Sequence, residues 1–136
     1  MFEQKTWSIE LPLCPESKSN SGRQFVNRRT GKEFKAKSEQ ACTFMRDAVM
    51  HLRAYRPAPF DRNDMIRADI VVRYPNHRRD FDVELVYDAI QKAGILPNDR
   101  QIREKYGRAE DETGEPRIRI KLTKIGTLPW QSKARG

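Results

Sequence analysis

Asp80 and Asp82 are two residues apart in the run HRRDFDVEL. In an extended segment both carboxylates point to one side, with Phe81 directed away. That is how a metal-binding pair is built, because hard divalent cations take carboxylate oxygens. The same spacing allows a plainer reading, with Asp82 as N-cap of the helix that follows and Asp80 paired with Arg78 or Arg79. Asp99 is open in the same way: in NDRQ, Asn98 stands three residues before Gln101 in capping-box spacing, or the segment turns ahead of a strand. His77 could touch a phosphate from this loop, though a solvated loop histidine is the commoner case.

A second group of residues suits a polyanion. Arg23, Arg28, Arg29, Lys32, Lys35 and Lys37 are six cations against one acid, Glu33, a local charge of +5. Phe25 and Phe34 are interleaved with them, a mixture that fits phosphate contacts and stacking on exposed bases. The alternative is a solvated hairpin whose two phenylalanines reach the core.

The whole chain agrees in sign. Its 136 residues carry 27 Lys and Arg against 19 Asp and Glu, a net charge of +8, which points to nucleic acid before a membrane surface. No apolar stretch is long enough to span a bilayer and the first residues lack a signal-peptide core, so a cytoplasmic protein is expected. Cys14 and Cys42 have no metal-ligand spacing and read as reduced thiols. The length fits one domain, and the 37% hydrophobic content suits a small core partly covered by a second subunit.

Periodicity supplies the elements that position these groups. TWSIEL alternates Trp7, Ile9 and Leu11 as a half-buried strand, and RQFVN and EFKA make a hairpin closed by TGK. From Ser38 as N-cap, Ala41, Phe44, Met45, Ala48, Val49 and Leu52 form a helical stripe. MIRADIVVRY is a second core strand. A second amphipathic helix, from about Asp82 to Ala93, carries Leu85, Val86, Ala89, Ile90 and Ala93, with Gly94 at the left-handed C-cap. RQIREKY and PRIRIKLTKI then read as an antiparallel hairpin around AEDETGEP, with Ile118, Ile120 and Leu122 inward. The fold class is α+β, a single domain with two amphipathic helices packed on a small mixed β-sheet. A helix of about 11 residues spans roughly 17 Å. Asp99 therefore reaches Asp80 and Asp82 only if ILPND runs back toward them or if Asp99 comes from elsewhere in an assembly.

The run RRDFD...LVYDAIQKAGILPNDRQI resembles the RusA-like Holliday junction resolvases, whose pattern is Asp-x-Asp, a helix ending in a Lys-Ala-Gly-like turn, then an Asp followed by Gln. WSIELPLCPESKS, GKEFKAKSEQACTFM and PRIRIKLTKI resemble the family's first strand and proline- and serine-rich loop, its basic hairpin entering the first helix, and its last strand. Most of residues 6 to 125 is covered, and the acidic core is the specific part. The resemblance implies a nuclease domain over residues 1–126, with a basic arm at about 18–37 and a basic tail at 127–136. It implies that Asp80, Asp82 and Asp99 are catalytic and bind Mg²⁺, with Mn²⁺ as the substitute, near the interface of a homodimer. It further implies Mg-dependent hydrolysis that makes paired, symmetric nicks in four-way DNA junctions during recombination and repair, in bacterial, often phage-borne, proteins. Arg78, Arg79 and Arg100, with the arm cations, would then hold the phosphate backbone.

Two positions depart from the family pattern. Val83 stands where an Asn is usual, and Glu84 falls near the place of a helix lysine that assists catalysis; Lys92, Arg79 and Arg100 are the substitutes at hand, while Glu84 could add a fourth carboxylate. These departures keep open a non-catalytic protein on the same fold that binds branched DNA or RNA. A ribosomal-type RNA-binding protein, with the aspartates as caps, is a third reading.

Overall fold

In the computed structural model, residues 5–16, 39–79 and 81–129 are described, with the backbone of 22–26 and 33–37. Strand β1 (Thr6–Leu11) is followed by a hairpin of β2 (Gly22–Val26) and β3 (Glu33–Lys37), then helix α1 (Glu39–Arg53) and strand β4 (Asp64–Arg73). Helix α2 (Glu84–Ala93), a 3₁₀ turn at Asp99–Gln101, and strands β5 (Ile102–Ala109) and β6 (Arg117–Thr127) complete it.

The alternation read from the sequence decides which side of each element is buried. All six stripe residues of α1 are buried, as are the five of α2. Every second residue of β4 is buried, Ile66, Ala68, Ile70 and Val72 among them. With Ile9, Leu11, Ile118, Ile120 and Leu122 they form one core between the two helices and one face of the sheet. The molecule is thus a small single-domain α+β fold with a mixed four-stranded sheet and two helices. Among the described residues no helix is long and apolar enough to cross a membrane.

The strand order is β1-β6-β4-β5, and the β2–β3 hairpin forms its own two-stranded sheet. This corrects the expected hairpin of RQIREKY with PRIRIKLTKI: β5 pairs parallel with β4, while β6 pairs antiparallel with β4 on the other side and with β1. The cause is α2. A strand reached through a crossover helix returns parallel to its predecessor. The 110–116 loop then crosses the end of β4, where the Glu110 N–H donates to the Val72 carbonyl and the Gly114 N–H to the Tyr74 carbonyl. Glu110 fastens this crossing, accepting from Arg73 at 2.9 Å and from Arg117 at 2.7 Å.

Helix α2 begins at Glu84, two residues later than the expected start at Asp82. It ends as expected: Gly94 is left-handed at φ 72°, its N–H bonds the Gln91 carbonyl and the Ile95 N–H the Ile90 carbonyl, a Schellman closure. The Arg56 guanidinium adds a bond to the Ala93 carbonyl at this negative end of the helix dipole. ILPND is not a strand; it is an irregular segment leading into the 3₁₀ turn. Ser38 and the TGK turn lie outside the described residues.

Candidate metal centre and nucleic-acid interface

Asp82 stands between the end of β4 and the start of α2. Its main-chain N–H meets the Tyr74 hydroxyl at 3.4 Å, and its Oδ1 accepts from the Glu84 N–H at 2.9 Å. The carboxylate therefore serves the first turn of α2 from just outside it, while Val83 occupies the N-cap without a side-chain bond. That answers why the helix starts late: the Asp82 side chain turns the chain before helical geometry begins. Burial raises the Tyr74 hydroxyl pKa, against the hydrogen bond from Asp82, so this phenol stays protonated. Phe81 and Val83 pack over Gly107 of β5, where an added Cβ would stand 3.1 Å from Phe81 Cζ and 3.6 Å from Val83 Cγ2. Asp80 lies outside the described residues.

Asp99 opens the 3₁₀ turn and is exposed. The capping box forms as the spacing predicts: the Asn98 side chain accepts from the Arg100 N–H at 2.9 Å, and Gln101 Oε1 accepts from the Asn98 N–H at 3.0 Å. Gln101 is 0% exposed, and its Nε2 donates to the carbonyls of Asp61 and Asp64. The loop bearing Asp99 is thereby fastened to the start of β4.

Asp82 and Asp99 consequently stand at opposite ends of the β4–α2–β5 unit. Asp82 is beside Tyr74, just past the end of β4; Asp99 opens the turn that Gln101 fastens to Asp61 and Asp64, where β4 begins. The ten-residue helix between them is about 15 Å long. One chain does not bring these two carboxylates together, and among the described residues no group of three or more His, Cys, Asp or Glu side chains could hold a metal ion.

The predicted phosphate contacts divide. Arg78, Arg79 and Arg100 are all exposed, and Arg79 also pairs with Glu16 at 3.4 Å, bracing the loop after β1. His77 is exposed. In the basic hairpin, Arg23 stands opposite Ala36, Lys35 opposite Gln24, Lys37 opposite Gly22, and Phe25 opposite Phe34. Arg28, Arg29 and Lys32 lie outside the described residues.

Sequence reasoning missed two anchors. Asp64 is 2% exposed, its Oδ2 accepting from the Asp61 N–H and both oxygens meeting lysines, Lys124 at 3.2 Å and Lys5 at 3.6 Å. Burial pushes its carboxyl up, but the Asp61 N–H and the two lysines outweigh that and hold it below the usual range. Gln101 is the other: its capping role was visible, its two distant carbonyl partners were not.

The open face of the sheet carries alternating charges. Glu10 joins Arg119 at 3.1 Å and Arg117 at 3.8 Å, and Arg67 joins Asp69 at 3.1 Å while lying over the Tyr106 ring. None of the family models searched matches this chain, and no curated protein matches it either.

Proposed function

We propose that this protein is a homodimeric, metal-dependent endonuclease that nicks branched DNA, with four-way junctions as the substrate. The observation that carries the reading is the placing of Asp82 and Asp99: both are on loops flanking α2, each set by local backbone hydrogen bonds, each next to an exposed arginine-bearing stretch. Their resemblance to the catalytic aspartates of the RusA-like resolvases supplies the chemistry.

The donor set fits a hard cation in kind. Asp82 and Asp80, two residues apart in the sequence, offer carboxylate oxygens that would hold Mg²⁺ or Mn²⁺. Such an ion, when bound, activates water for attack on phosphorus and offsets the charge that develops on the leaving oxygen. The chain's own residues do the rest. The Glu84 N–H fixes the rotation of the Asp82 carboxylate. Arg78 and Arg100 are exposed and suit contacts to phosphate oxygens, while the hairpin cations hold the flanking duplex. Asp99 completes the acidic set from a second subunit, since its own chain carries it to the far end of α2. A dimer with two such sites matches the near two-fold symmetry of a four-way junction.

A second reading is favoured by the Asp82–Glu84 bond: if Asp82 acts only as a turn former, the same surface binds branched DNA or RNA without cutting. Cleavage of a labelled mobile four-way junction, with linear duplex as control, separates the two. Wild type and Asp82→Asn are compared with Mg²⁺ and with EDTA. Paired Mg²⁺-dependent nicks, lost in Asp82→Asn with junction binding retained, are expected; tight binding with no nicks from wild type moves the answer to the binding protein.

A further inference from the structure

Strand β5 closes one side of the sheet, and residues Arg103 to Arg108 are all exposed. Because the Glu110 N–H points to the Val72 carbonyl of β4, the alternation of a strand turns the even-numbered residues of β5 toward β4. Beyond the register shift, which falls at Arg103, the residues Lys105, Gly107 and Ala109 therefore direct their main-chain N–H and C=O groups outward. An edge of this kind is a template for another strand unless it is blunted. Two of the large exposed apolar side chains flank it, Tyr106 at 54% on the open face and Phe81 at 44% over Gly107 on the helix face.

We infer that β5 pairs antiparallel with β5 of a second copy of this chain about a two-fold axis at Tyr106. The outward set of odd residues permits only registers that pair odd with odd, and charge selects among them. A register that sets Lys105 against Lys105, or Glu104 against Glu104, opposes like charges. The register centred on Tyr106 sets Glu104 opposite Arg108 twice, Tyr106 opposite Tyr106, and Lys105 opposite Gly107. Arg108 has no acidic partner within 4 Å among the described residues, and Glu104 accepts only the Tyr106 hydroxyl at 3.3 Å there. Opposite charges directly across an antiparallel pair stabilise it, and like charges destabilise it. The charges that blunt this edge toward other strands are complementary toward its own copy.

This deepens the homodimeric reading above and rests on it for its catalytic consequence. Antiparallel pairing runs the start of one β5 beside the end of the other. It carries Asp99 of each chain to the end of the joined sheet where Asp82 of the other chain stands. Two sites follow, each drawing Asp82 from one subunit and Asp99 from its partner.

Sedimentation equilibrium on the full chain tests the register without any nuclease readout. Glu104→Arg and Arg108→Glu are each expected to weaken the dimer about tenfold or more, and the double variant Glu104→Arg/Arg108→Glu to recover it. In a Cys14→Ser/Cys42→Ser background, Tyr106→Cys is expected to form a disulfide-linked dimer, since facing non-hydrogen-bonded residues stand about 4.5 Å apart at Cα. A monomeric wild type, single variants that dimerise like wild type, or a dimer in which Tyr106→Cys does not cross-link overturns the register. Mixing Asp82→Asn with Asp99→Asn then tests the shared site: restored junction nicking supports it, and no restoration beside an active wild type overturns it. An inactive wild type instead defeats the nuclease reading, while the sedimentation result still judges the pairing.

Discussion

Gln101 Nε2 stands 2.9 Å from the main-chain carbonyl of Asp64, with both groups buried. One carboxamide thus joins the loop carrying Asp99 to the first residue of β4, and a further bond to the Asp61 carbonyl at 2.6 Å closes the clasp. Removing it takes a donor from the buried Asp64 carbonyl, a cost of about 1–3 kcal/mol, while the Asp61 carbonyl keeps the Asp64 N–H. Gln101→Leu, which keeps most of the volume, is expected to lose about 1–3 kcal/mol in urea denaturation. An equal stability for Gln101→Leu and wild type would mean the clasp contributes nothing.

The Glu110 carboxyl is held at about 2, below its ordinary 4.5, by hydrogen bonds from Arg117 first and Arg73 second. The folded state binds this proton less readily than the unfolded state. Its stabilisation is complete above about pH 4.5 and is lost as the pH falls toward 2. Glu110→Gln is therefore expected to lower Tm at pH 7, with the gap to wild type narrowing below pH 4.5. Thermal scans across that range check it.

Asp82 offers a way to separate structure from chemistry. Asn accepts the Glu84 N–H as well as Asp does, so Asp82→Asn is expected to keep stability within about 0.5 kcal/mol. Asp82→Ala removes the acceptor and is expected to cost about 1 kcal/mol. Under the nuclease reading both variants lose nicking, so activity falls in Asp82→Asn without a matching fall in Tm. Parallel denaturation and cleavage measurements expose any case where the two losses travel together.

Gly107 lets the Phe81 ring lie against β5, since a Cβ there would meet Phe81 Cζ at 3.1 Å. Phe81 is partly exposed and able to shift, so Gly107→Ala is expected to cost no more than about 1 kcal/mol. The displaced ring drags its neighbour Asp82, and junction nicking should fall more than stability does. In a double-mutant cycle with Phe81→Leu, the Gly107→Ala effect on both readouts is expected to shrink; additive losses would show that the ring is not the cause.

Much of the fold was legible because alternation and helical spacing report directly which side of an element is buried. Ile118, Ile120 and Leu122, the α1 stripe, Gly94 and the Asn98–Gln101 capping box all follow from local pattern. What was not legible is lateral. Alternation fixes the face of β6 but says nothing about which strands lie beside it or beside β5, and the acidic run between them looked like a hairpin turn when it is a bridge over β4. The start of α2 was misread because an Asp just outside a helix and an Asp at its N-cap share one sequence signature. Gln101 was visible as a cap, but its carbonyl partners lie 37 and 40 residues away. Asp82 and Asp99 were identified as candidates from types and spacing; their separation along α2 emerged only from the topology.

β6 occupies the slot between β1 and β4, yet among the described strands it is the last to leave a ribosome. Until Arg117–Thr127 emerges, β1 has no neighbour and β4 presents a bare flank beside an apolar row that includes Ile66, Ile70 and Val72. An unfilled slot of this kind invites strands from other chains, the hazard of incompletely folded sheets. Closure of the sheet is therefore all-or-nothing: a chain interrupted before residue 117 is expected to be an aggregating fragment, not a weaker version of the whole.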